Sequence, residues 1–133
     1  MKNITAKWVS WGPYFQAILR IVTAFLFLLT GTSLLFAFPV ASPHGGAALM
    51  SQIGIGAVLE IVGGFLVLIG LFTRPAAFII SGEMAVAYFQ FHFPQGFWPI
   101  VNGGTESILY CFIFLFLSAA GAGAWSFDAK RKS

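Results

Sequence analysis

Four apolar runs organise this chain, at about Tyr14–Phe38, Leu49–Phe72, Pro75–Phe93 and Glu106–Ala122. Each approaches or exceeds the ~20 residues that carry an α-helix across a bilayer. Short connections separate them. Pro39 and Pro43 end the first run and open a loop through His44-Gly45-Gly46. Thr73-Arg74-Pro75 makes a tight turn, with Pro75 expected at the first position of the third helix. Pro94–Thr105 forms a longer loop, and Asn102 or Thr105 stands where an N-cap belongs, with Glu106 in the first turn that follows. Gly121 and Gly123 end the last run. His44-Gly45-Gly46 and Asn102-Gly103-Gly104 each lead into the second helix of a hairpin, which hints at a duplicated two-helix unit. The pattern predicts an all-α membrane protein, a four-transmembrane-helix bundle forming a single domain over residues 1–133.

Composition strengthens that expectation. Hydrophobic residues make up 59% of the chain and charged residues 8%, with 16 phenylalanines, and the mean hydropathy is +0.90. Little sequence is left outside the runs, so no soluble catalytic domain fits. The net charge of +3 is no nucleic-acid footprint. Lys2, Lys7, Lys130, Arg131 and Lys132 lie at the two ends, and Arg74 is the only basic residue in a connection. Counting positive charges places both termini and the Arg74 turn in the cytoplasm. Trp8, Trp11, Tyr14, Trp98 and Trp125 fall near span ends, as an aromatic belt at the lipid–water interfaces requires. The N-terminal stretch carries Lys2 and Lys7, but its apolar run is too long for a cleaved signal peptide. Cys111 is the single cysteine, so an intramolecular disulfide and CxxC redox chemistry are both excluded.

Against this apolar background the informative residues are Arg20, Glu60, Glu83 and Glu106. A charged group at the centre of a membrane helix costs roughly 2.5–3.5 kcal/mol on insertion scales, so such residues face a protein interior and mark a site or pathway. Gly56, Glu60 and Gly64 recur every four residues and share one helix face, where small residues let another helix approach. At a rise of about 1.5 Å per residue, Glu60 lies about 18 Å, Glu83 about 12 Å and Arg20 about 9 Å from the inner ends of their spans. That depth match predicts one buried cluster with Arg20 as counter-ion. The competing reading is that Arg20 snorkels inward and anchors its helix. If Glu60 and Glu83 share the interior, one of them must carry a proton, which suits proton handling; a neutral glutamate tying two helices together is the alternative.

Nearer the outer surface, His92, Asn102 and Glu106 form the candidate ligand-contacting group. On a regular helix His92 is nine residues from Glu83 and faces the opposite way, so the two meet one ligand only if the third helix is irregular. Tyr88, Phe89, Phe91, Phe93, Phe97 and Trp98 either wall a pocket for a flat lipophilic ligand or form a lipid-facing belt. His44 and His92 lack metal-ligand spacing, so neither metal nor haem is expected.

These residues also carry a family resemblance. Glu60, Gly63-Gly64-Phe65 and Gly70-Leu71-Phe72-Thr73-Arg74-Pro75-Ala76 resemble the second-helix pattern of the DoxX family. Ala87-Tyr88-Phe89, His92, Pro94, Gly96-Phe97-Trp98-Pro99, Asn102-Gly103-Gly104 and Glu106 resemble its second half, and Ala119-Ala120-Gly121 with Trp125-Ser126-Phe127-Asp128 its terminal segment. Thr105 displaces the glutamate by one residue from the family's pattern. The resemblance implies a small multi-pass protein of the bacterial cytoplasmic (inner) membrane, linked to quinone-dependent oxidoreductase assemblies and oxidative-stress defence. The chain is accordingly expected to be the membrane subunit of a redox assembly. In that reading it binds a quinone-like ligand through His92, Asn102, Glu106, Tyr88 and Trp98. Glu60 and Glu83 move protons, and a redox partner protein delivers electrons. A small-molecule or proton-coupled transporter and a non-catalytic anchor or assembly factor are the alternatives. Small-residue faces also permit a homo-oligomer.

Overall fold

The computed structural model describes residues 2–40 and 51–132; the expected His44-Gly45-Gly46 loop lies outside them. Every regular element among the described residues is helical. A short α1 (Lys2–Ser10) runs almost directly into α2 (Gly12–Phe36), which Pro13 helps to start. Then come α3 (Gln52–Ile69) and α4 (Thr73–Ala87). A π-helical turn (Tyr88–His92), a 3-10 turn (Phe93–Gln95) and a one-turn α5 (Pro99–Asn102) carry the chain to α6 (Thr105–Ala120) and the terminal α7 (Phe127–Lys132).

Local chemistry explains most helix ends. The Ser51 hydroxyl accepts from the Gly54 N–H and caps α3, as serine does at an N-cap. Gly70 closes α3 in the left-handed region at φ +73°, where a Cβ would be strained. The start of α4 departs from expectation. The helix begins at Thr73 rather than at Pro75, so Pro75 is the third helical residue. It is tolerated because first-turn N–H groups have no intrahelical acceptor.

The long helices pack as two hairpins. α2 lies chiefly on α3, α4 lies chiefly on α6, and the α3–α4 contact joins the pairs. Ala24, Phe27, Val67, Ala77, Ile80, Phe114 and Leu117 form the buried centre. Phe27 meets Phe114 edge-on at a ring separation of 5.0 Å, a favoured aromatic geometry. The α2–α3 approach depends on Gly31, where a Cβ would sit 2.9 Å from the Ala57 carbonyl oxygen. The outward faces are apolar as well: Val22, Phe25, Val62, Phe65, Phe78, Ile79, Leu109, Phe112 and Phe116 are all exposed. The stretches Asn3–Phe36 and Gln52–Ile69 are long and apolar enough to cross a membrane, and Thr105–Ala120 is a shorter apolar helix.

One end of the bundle is closed by the C-terminal segment. Arg20, fully buried, donates to the carbonyls of Ala122, Ala124 (3.1 Å) and Trp125 (2.8 Å). Gln16 donates to the Gly121 carbonyl at 2.7 Å, and the Arg74 guanidinium donates to the Ala119 carbonyl. The carboxylate of Asp128 reaches the start of α4, accepting from the N–H groups of Phe72 (2.9 Å) and Thr73 (2.8 Å). It therefore acts as an N-cap contributed from 55 residues away along the chain. The same contact supports Phe72, a non-glycine residue at φ +52°, whose ring also lies 4.9 Å under the Arg131 guanidinium. Burial pushes the Asp128 carboxyl upward, but the N–H bonds from Thr73 and Phe72 and the Arg131 charge outweigh it and hold its pKa below the usual carboxylate range.

A carboxyl-lined pocket between the two hairpins

Toward the opposite end, the four long helices line a cavity of about 230 Å³, well above the ~10–15 Å³ that one water needs. α2 contributes Thr30 and Leu34, and α3 contributes Gln52, Ile53, Gly56 and Glu60. Glu83, Met84, Gln90, Phe91 and His92 come from α4 and its π turn, and Glu106, Ser107 and Tyr110 from α6.

Glu60 and Glu83 meet across the α3–α4 contact. Glu60 retains 7% of its accessible surface, accepts from the Thr30 hydroxyl, and lines the same cavity as Glu83. Two carboxylates in one buried site repel each other, which favours a proton on one of them. Gly56, one turn before Glu60, makes the meeting possible: a Cβ there would be 3.0 Å from Glu83 Oε2. Glu83 Oε1 is buried without a hydrogen-bond partner among the described residues. Leaving a buried acceptor unpaired costs about 1–3 kcal/mol, and more when the group is charged.

Arg20 does not join the carboxyls. Its side chain is committed to the Ala122, Ala124 and Trp125 carbonyls, so the counter-ion reading gives way to one in which Arg20 fastens its helix to the C-terminal segment. Helix geometry supplies the reason. Cα–Cβ bonds tilt toward the helix N-terminus, which for α2 is the end away from the pocket. Arg20 also lies ten residues, or about 15 Å, before Thr30.

The irregular third helix unites residues that a regular one would separate. A regular α-helix turns by about 100° per residue, which would carry His92 to the face opposite Glu83. The π turn at Tyr88–His92 turns less per residue, so His92 falls short of that face and lines the same pocket as Glu83. Its Nδ1 lies 3.2 Å from the Asn102 carbonyl oxygen, which steadies the ring. Glu106, in the first turn of α6, also lines the pocket.

Three expected ligand contacts lie outside the pocket lining. Asn102 is buried as scaffold: its amide donates to Gly96 O (2.9 Å) and Tyr88 Oη (3.2 Å) and accepts from Gly104 N–H (2.8 Å). Tyr88 backs the His92 ring at a centroid distance of 6.3 Å. Trp98 is 66% exposed and packs on Phe97 rather than on the cavity. Its exposed position follows from the Phe93–Phe97–Trp98 aromatic ladder on the outer rim.

Sequence reasoning missed Thr30, Gln52 and Tyr110. Gln52 and Gln90 exchange two amide hydrogen bonds, of 2.5 and 2.9 Å, beside the cavity. Their polarity within apolar runs is the one signal for them, and only packing shows that they line the same cavity as the carboxyls. Among the described residues no cluster of three or more metal-ligating side chains forms.

A family model described as DoxX matches residues 15–93. An uncharacterized protein of Haemophilus influenzae is 47% identical over 125 residues, covering 91% of this chain and 93% of that protein. No solved structure gives a significant match.

Proposed function

The chain belongs to the DoxX family of membrane proteins, and from that premise we propose that it is the membrane subunit of a quinone-linked redox assembly. The pocket takes the ligand's head group, and the Glu60–Glu83 pair handles protons. In this reading four helices, α2, α3, α4 and α6, span the bacterial inner membrane. The Arg20 end, with both termini and the Arg74 turn, faces the cytoplasm.

The observation that carries the reading is the cavity lined by Glu60, Glu83 and His92, with Glu83 Oε1 buried and unpartnered. The residues fit a quinone. Phe91 and Tyr110 offer flat walls, the cavity has room for a single ring, and Glu83 and His92 are placed at its polar lining. A quinone supplies a ring that takes up two electrons and two protons. Glu83 would give the ring one proton and be reloaded through Glu60, which Thr30 bonds, for the second. His92, held by the Asn102 carbonyl, orients the head group. A partner protein supplies the electrons.

Mass spectrometry of organic extracts tests this on protein purified from its native membrane. Stoichiometric quinone, lost in Glu83→Gln and His92→Ala, is the expected result. Bulk phospholipid alone, identical in every variant, refutes it.

A second reading has its own support. Three carboxyls line the pocket and no Lys or Arg does, a field that favours a small organic cation exchanged for protons. Uptake of such a cation into proteoliposomes, driven by a proton gradient and abolished by Glu60→Gln, would favour transport over the redox role.

A further inference from the structure

The carboxyl pair is built asymmetrically, and the asymmetry originates in α2. Thr30 Oγ1 lies within bonding reach of two acceptors, the Phe27 carbonyl at 2.6 Å and Glu60 Oε1. A hydroxyl has one proton to give. The carbonyl of a mid-helix residue already has the helix's own N–H bond, whereas a carboxylate is the stronger, charge-assisted acceptor. Glu60 thus receives the Thr30 hydroxyl as a donor. Glu83 Oε1 receives none.

Resting on the pocket reading above, we infer that Thr30 is a positioning residue that keeps Glu60 as the charged member of the pair and Glu83 as the proton-bearing, ligand-facing member. The remaining groups around the pair fit that polarity. Glu106 and Tyr110 approach from α6 and His92 from the π turn, and none of them bonds Glu60 in place of Thr30. When Glu60 takes up the proton, the Thr30 hydroxyl can turn to the Phe27 carbonyl, and the stronger bond to a carboxylate is lost. Thr30 therefore stabilises charge on Glu60 by a bond that charge on Glu83 does not receive. A valine, nearly isosteric but without the hydroxyl, cannot do this.

Dicyclohexylcarbodiimide separates the two states, because this lipophilic reagent adds to protonated carboxyl groups and leaves carboxylates unmodified. The full chain in proteoliposomes is labelled and the adducts on Glu60 and Glu83 are counted by peptide mass spectrometry. The wild type should label predominantly at Glu83. Thr30→Val should lower the Glu83-to-Glu60 ratio by about tenfold or more, the size expected for losing one hydrogen bond to a charged group. Thr30→Ser, which keeps the hydroxyl, should restore it. A wild-type excess at Glu60, no label on either residue, or an unchanged ratio in Thr30→Val overturns the inference. The wild-type ratio needs no variant, so misfolding of Thr30→Val would not rescue the idea. The extraction experiment is independent: absence of quinone leaves the label ratio standing, and a flat ratio leaves bound quinone standing.

Discussion

Replacing Arg20 with methionine distinguishes a residue that serves the carboxyls from one that fastens the chain's end. Methionine keeps much of the aliphatic stem and removes the guanidinium. Three carbonyls, those of Ala122, Ala124 and Trp125, lose their donor. A hydrogen bond to a charged group contributes about 1.5–3 kcal/mol. These carbonyls belong to a terminal segment that can detach and hydrate, so the loss should be nearer ~2–4 kcal/mol than the sum. For a domain of this size each kcal/mol shifts the melting temperature by roughly 3–4 °C, which predicts a drop on the order of 10 °C in detergent. The decisive assay is a pair of double-mutant cycles read by thermal melting. Arg20→Met should be strongly non-additive with deletion of residues 122–133, because both remove the same contacts. It should be additive with Glu60→Gln, whose carboxyl lies elsewhere in the bundle. Rescue of Arg20→Met by Glu60→Gln, with additivity toward the C-terminal deletion, would refute the assignment and reinstate Arg20 as the counter-ion.

Other expectations follow from single contacts. Asp128→Ala should destabilise by about 0.5–2 kcal/mol, the usual cost of a lost N-cap. Because the folded-state pKa of Asp128 is held below its ordinary value, its contribution is present above the unfolded pKa, near ~3.9 for aspartate. It fades as pH falls through the lower folded value. The wild type should therefore lose part of its advantage over Asp128→Ala below about pH 4, and equal pH profiles for the two melts would refute this. Gly31→Ala should cost about 1–3 kcal/mol through overpacking, since its Cβ meets backbone at Ala57; an unchanged or raised melting temperature would show that α2 and α3 can separate cheaply. Asn102→Ala should lower stability by about 1–3 kcal/mol by orphaning the buried Gly104 N–H, and should do so equally with and without added ubiquinone-1. A loss seen only with the ligand present would return Asn102 to the contact set.

Several features of the fold are legible in the sequence itself. Long apolar runs predict the main helices, since backbone groups in hydrocarbon must be satisfied within the segment. Burial of Glu60 follows from its place between Gly56 and Gly64 on one face. Helix bounds are less legible: the start of α4 at Thr73 depends on an aspartate far along the chain, and local pattern carries no trace of it.

The candidate site divides along the same line. Residue type alone singles out Glu60, Glu83, His92 and Glu106, because charge and imidazole in apolar surroundings are too costly to be incidental. That they share one cavity is decided by the π turn, which changes the face His92 presents, and by the closeness of α3 and α4 at Gly56. Arg20 shows the limit of the linear argument. Depth along a helix matches it to the glutamates, but direction sends it to the opposite end, where free carbonyls of the C-terminal segment supply better partners. Composition and periodicity report which groups must be buried. Which groups then meet is set by side-chain direction, helix irregularity and contacts between residues distant in sequence, and these exist only once the chain has packed.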